Sequence, residues 1–116
     1  MEAIDMYKFL DKESNKEKPS GTKDIELYYF ICGQLARYMT HNNEKTYAKT
    51  TPFLNAKTGK ETKQELIDLL KHKKEFIKQN DKFERLWGMV EDSNFDDQVS
   101  LPETFLLGYT YKNIMY

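Results

Sequence analysis

Lys71, Lys74 and Lys78 recur at i, i+3 and i+7 within a stretch of helical periodicity. At 100° per residue they share an arc about 60° wide, each within a turn of the next. Three ammonium groups in such a line can follow the phosphates of one strand as point charges, without reading bases. Lys45, Lys49, Lys57 and Lys60 lie in the segments before this helix, Lys63 lies near its start, and Arg37 is carried by an earlier helix. The planar guanidinium of Arg37 suits a fork with a phosphate or with an internal carboxylate. Tyr38 and Tyr47 lie close to these cations in sequence. Each lysine taken singly also reads as ordinary solvated surface. The set of Arg37, Lys45, Lys49, Lys57, Lys60, Lys63, Lys71, Lys74 and Lys78 is the candidate site.

Other chemistry is weakly represented. There is no Gly-rich phosphate loop, no His-Glu-x-x-His and no Cys-x-x-Cys. His41 and His72 belong to different helical stretches, and Cys32 sits in an apolar run as a small core residue. A calcium-loop template can be laid on Asp92, Asn94 and Asp96 at its first, third and fifth positions, with Glu103 at the twelfth. Asp97 stands where that loop turns on glycine, and Pro102 stiffens the approach to Glu103, so an acidic linker capping the next helix is the preferred reading. The expectation is a non-enzymatic chain without cofactor or metal.

The elements that must position these residues are helical. Ile4, Tyr7 and Leu10 form a short amphipathic start, followed by a charged connector from Lys12 to Thr22. A helix from about Lys23 to His41 repeats apolar residues at three- and four-residue spacings, through Ile25, Tyr28, Tyr29, Cys32, Leu35, Ala36 and Met39. It is apolar around most of its circumference and is expected to be central. Thr51-Pro52 reads as the start of a short helix, and Thr62-Lys63-Gln64-Glu65 as a capping box opening the lysine-bearing helix. Asp81 to Glu84 and Ser100 to Glu103 repeat that signal. The expected fold is all-α, a compact bundle of about five helices over residues 24–116 behind a short N-terminal helix and mobile charged connector, 1–23. Phe30-Ile31-Cys32-Gly33 and Phe105-Leu106-Leu107-Gly108 share a Phe-x-x-Gly pattern. Glycine inside a helix costs about 1 kcal/mol relative to alanine, so both glycines predict a close helix approach.

Composition bounds the answer. Of 116 residues, 39% are hydrophobic and 14% aromatic, enough for a real core, and one cysteine excludes a disulfide framework and a four-thiolate zinc site. The start Met1-Glu2-Ala3-Ile4-Asp5 lacks the basic and apolar regions of a signal peptide, and the apolar run Ile25 to Met39 contains Glu26, Gln34 and Arg37. The expectation is a cytoplasmic protein without membrane attachment. A net charge of −1 hides an asymmetry: 5 basic against 7 acidic residues in 1–32, 11 against 6 in 33–82, and 2 against 6 in 83–116. A basic centre suits a polyanion, since lysines displace its condensed counterions, and it equally suits pairing with the acidic ends of further copies.

Two segments carry a resemblance. Tyr29-Phe30-Ile31-Cys32-Gly33-Gln34-Leu35-Ala36-Arg37-Tyr38 and Phe105-Leu106-Leu107-Gly108-Tyr109, with Phe83-Glu84-Arg85-Leu86 between them, resemble the C-terminal helical region of large subunits of type I-B CRISPR Cascade complexes. In that family the region is also made separately as a small subunit, which a 116-residue chain starting at Met1 fits. The resemblance implies an all-helical subunit present in several copies along the guide-RNA filament. Its partners would be the large subunit, the backbone-forming subunits, the guide RNA and the target DNA, whose phosphates it would help hold during R-loop formation. The alternative is a helical protein–protein adaptor that does not touch nucleic acid.

Overall fold

The computed structural model describes residues 2–11, 21–40, 46–72 and 80–116, with the backbone alone at 46–49 and 72. Within them run six helices: α1 (Ala3–Asp11), α2 (Asp24–Thr40), α3 (Thr46–Asn55), α4 (Gly59–His72), α5 (Asp81–Glu91) and α6 (Pro102–Thr110). The fold is all-α, with five helices from residue 24 onward among the described residues and α1 ahead of them. No helix among the described residues is long and apolar enough to cross a membrane.

The apolar period of α2 makes it the axis. Leu27, Tyr29, Phe30, Ile31, Cys32, Leu35, Ala36 and Met39 are all buried, and α4, α5 and α6 pack around them. Met6 and Leu10 of α1 enter the same core. A Cβ added at Gly33 would meet the backbone at Phe105 and Tyr109, and one at Gly108 would meet the backbone of Phe30, each at less than 3.0 Å. The two glycines therefore let α2 and α6 touch backbone to backbone, which no side chain larger than hydrogen permits.

Gln34, beside Gly33, is fully buried yet wholly satisfied. Its Nε2 donates to the carbonyls of Gly108 at 2.6 Å and Lys112 at 3.2 Å, and its Oε1 accepts from the Ile114 amide at 2.9 Å. Asn113 donates back to the Gln34 carbonyl at 2.8 Å. The chain after α6 is thereby tied to the central helix.

Four helix starts depart from the expected frames. α3 begins at Thr46, so Pro52 lies inside it and not in its first turn. The loss of a helical donor there is offset by Phe53, which is buried and stacks on Phe105 at 4.7 Å. α4 opens on Thr58 and Glu61 and not on Thr62 and Glu65. The Glu61 carboxylate accepts from the Lys57 and Thr58 amides, and the Thr58 hydroxyl accepts from the Glu61 amide. Thr62 is instead buried one turn in, its hydroxyl shared between the Thr58 carbonyl and the Tyr29 phenol. α5 is capped by Asn80, whose side chain accepts from the Phe83 amide, one residue before the expected Asp81. α6 starts with Pro102 in its first turn and no side-chain cap, because the Ser100 hydroxyl donates to the Ala56 carbonyl. The expected end of the central helix near His41 lies outside the described residues.

This packing has measurable consequences. Gly33→Ala and Gly108→Ala should each lower the unfolding free energy by about 3 kcal/mol or more, because backbone on both sides must move. Gly88→Ala in α5, where an added Cβ meets nothing within 4 Å, should raise it by about 0.5–1 kcal/mol, as urea unfolding will measure. Gln34→Leu keeps the volume but strands the Ile114 amide and the Gly108 carbonyl. It should cost about 3 kcal/mol and speed amide exchange at Ile114 before the α2 core opens.

Candidate nucleic-acid interface

α4 is the element on which the cationic side chains can be placed. Its inner face is set by Thr62, Leu66 and Leu70, all buried, so its rotation is fixed. Lys60 and Lys71 are eleven residues apart, three turns, and lie within about 20° of each other on the outer side, separated along the axis by about 16 Å. Both are exposed, and so is Lys57 just before the helix. Ile67, 37% exposed, lies on the same line.

The other flank of the outer face is acidic. Glu61, Glu65 and Asp68 occupy it, and with Pro52, Asn55, Ala56 and Gln64 the two glutamates line a shallow cleft against α3. Burial, and then the neighbouring Asp68, push the Glu65 carboxyl above its usual range. The outer face of α4 is thus divided lengthwise, lysines on one flank and carboxylates on the other. The Lys71 ammonium reaches across to Asp68 at 3.6 Å. Both side chains are at least half exposed, so solvent screens this pair and it is worth little.

Lys63 is a correction to the candidate set. Its side chain is 14% exposed and points inward. The ammonium bonds Asp96 at 2.6 Å, donates to the Ser93 carbonyl at 2.6 Å and lies 4.9 Å over the Phe95 ring. Its neighbours explain the turn. The loop between α5 and α6 lies against the start of α4, where the Gly59 and Lys60 amides donate to the carbonyls of Gln98 and Asp96. The Ser100 amide donates to the Lys57 carbonyl, and Thr58 pairs with Val99 in an isolated antiparallel bridge. Phe95 is buried between Tyr28, stacked at 5.3 Å, and Tyr29, edge-on at 5.5 Å. The same contacts engage the calcium template: the Asp96 carboxylate holds an ammonium and Asp92 closes α5. Among the described residues no three His, Cys, Asp or Glu side chains group as metal ligands.

Arg37 is half-buried near the end of α2, its guanidinium 5.5 Å over the Tyr109 ring. The ring supports the cation without neutralising it. Tyr38 is packed between Phe83 and Tyr116, so its ring belongs to an internal aromatic row. Burial pushes the Cys32 thiol far up, which holds it protonated in the core. Lys45, Lys74 and Lys78, with Lys73, lie outside the described residues, and Lys49 is placed on α3 by its backbone alone. Of the nine expected cations, the structure puts Lys57, Lys60 and Lys71 on or beside one helix face, seats Arg37 on an aromatic ring and withdraws Lys63.

Comparison with models of protein families, with curated proteins and with solved structures returns no match.

Lys63→Met should cost about 1–3 kcal/mol in stability, since it leaves the Asp96 carboxylate and the Ser93 carbonyl without their donor. The same substitution should leave retention of single-stranded DNA at low salt unchanged. Thermal unfolding and filter binding on one preparation separate the two effects.

Proposed function

We propose that the chain is a non-enzymatic helical subunit that holds nucleic acid by its sugar-phosphate backbone, working as a small subunit of an RNA-guided CRISPR surveillance complex. The observation that carries the backbone-binding part is the exposed lysine flank of α4, with Lys57 beside it. Point charges on a rigid helix hold phosphates in register while leaving the bases unread, the division of labour that guide pairing requires. The acidic flank of the same helix repels phosphate and so gives the strand one side on which to lie. The assignment to a CRISPR complex rests on the resemblance of the Gly33 and Gly108 segments to the helical region that ends the large subunits of that family. On this reading the partners are the large and backbone-forming subunits, guide RNA and target DNA. A few phosphate contacts per copy bind weakly, and a row of copies multiplies them.

The second reading, a protein–protein adaptor, has Ile67 in its favour, an apolar side chain exposed in the middle of the lysine line. Lys60→Glu with Lys71→Glu decides between the two. On the first reading the pair weakens single-stranded DNA binding equally for all sequences and flattens the salt dependence by about 0.7 log units per lost phosphate contact. Affinity and slope equal to the parent chain's would leave the adaptor.

A further inference from the structure

We infer that the surface beneath α1 is a receptor for a helix end and accepts the α1 of a second copy of this chain. α1 enters the core with Met6 and Leu10, one turn apart and each 1% exposed, while Ile4, Asp5 and Lys8 face outward. Around this apolar pair the seat is built from residues remote in sequence. Arg85 of α5 donates from Nη2 to the Leu10 carbonyl at 2.6 Å, and Lys82 pairs with Asp11 at 3.1 Å. Lys112, after α6, places its ammonium 4.6 Å over the Tyr7 ring, and Tyr111 packs on the same ring at 5.5 Å.

Each polar grip joins a cation of the seat to an acceptor on α1: a carbonyl, a carboxylate or the face of a ring. Carbonyls in the last turn of a helix have no intrahelical donors and form the negative end of its dipole. The Leu10 carbonyl and Asp11 are therefore what this seat recognises. Its occupant is defined by chemistry: two apolar residues one turn apart, an aromatic ring beside them and an acidic last residue. α1 of any copy satisfies that definition.

Chain length supplies the other half of the argument. The described chain resumes at Gly21, where Thr22 is buried and the Lys23 amide donates to Glu26, and the ten links from Asp11 to Gly21, fully extended, cover roughly 35 Å. The longest dimension of the molecule is 35 Å. An arm of that reach can place α1 on the seat of a neighbour with every contact replaced by its equivalent. The two arrangements then differ only in the entropy of closing the connection, which favours the home seat in dilute solution and the neighbour's where copies are crowded together.

Two full-length variants test this. Leu10→Asp disables the arm and leaves the seat; Lys82→Glu with Arg85→Glu reverses the seat and leaves the arm. Analytical ultracentrifugation should find each variant monomeric alone and a heterodimer in the mixture, weakened several-fold by added salt. In parallel, a fluorescent peptide of residues 1–11 should bind the Leu10→Asp chain and bind several-fold more weakly when the peptide carries Asp11→Lys. Should Leu10→Asp unfold the chain, Met6→Ala with Leu10→Ala replaces it. A peptide that binds while the mixture stays monomeric overturns exchange between copies. A peptide that does not bind overturns the receptor itself.

Discussion

The contact between the backbones of α2 and α6 at Gly33 and Gly108 is the constraint on which the rest of the structure depends. Because neither position carries a Cβ, the helices close until Gln34 can donate to the Gly108 carbonyl. That bond fixes the register of α6 along α2, and the remaining bonds of Gln34 and Asn113 fix the residues beyond it. The C-terminal segment then serves both neighbouring elements. Tyr111 and Lys112 meet α1, and the Met115 carbonyl accepts from Asn80, the residue that caps α5. One close approach thus propagates to α1 and α5.

Much of this was legible in the chain because it depends on local spacing. The apolar period identified α2 as central, and the two Phe-x-x-Gly segments announced a close helix pair, since an interior glycine is unfavourable unless something needs the space. Helix starts were less legible for an equally physical reason. Thr58-Gly59-Lys60-Glu61 and Thr62-Lys63-Gln64-Glu65 carry the same capping signal one turn apart. Only the burial of Thr62 against Tyr29 selects the first. Gln34 was missed as a structural residue, although a signal existed: an amide next to an interior glycine, in a helix apolar on nearly every side, has no water to turn to. Lys63 was misjudged because a helical projection gives an angle and not what lies at that angle. The loop carrying Ser93 and Asp96 is at least 30 residues away in sequence and arrives only with the tertiary fold.

The charge of the central segment therefore does not translate directly into a surface. Of its lysines, one balances a carboxylate beside an aromatic ring, and two others share a helix face with carboxylates a quarter-turn away. An ammonium that already bonds Asp96 would have to break that bond to meet a phosphate, and Phe95 would lose its covering cation. Lys57 and Lys60 carry no such commitment among the described contacts, and they stand where the α5–α6 loop already holds the start of α4 rigid. A rigid mount matters for backbone contact, because flexible lysines lose side-chain entropy for each phosphate they grip.

The last third of the chain sharpens the same polarity. Arg85 and Lys112 are the only basic residues of 83–116, and both are turned onto α1. Glu84, Glu91, Asp92, Asp97 and Glu103 remain exposed. With six acidic residues against these two cations, this part of the chain is rich in carboxylates while one flank of α4 presents lysines. A molecule polarised in this way repels phosphate from one region and attracts it to another, and it also attracts the opposite region of another copy. Seating α1 thus does more than cover Met6 and Leu10. It turns Arg85 toward the Leu10 carbonyl and Lys112 toward the Tyr7 ring, so the docking of a nine-residue helix helps set where these two cations stand beside the carboxylates of 83–116.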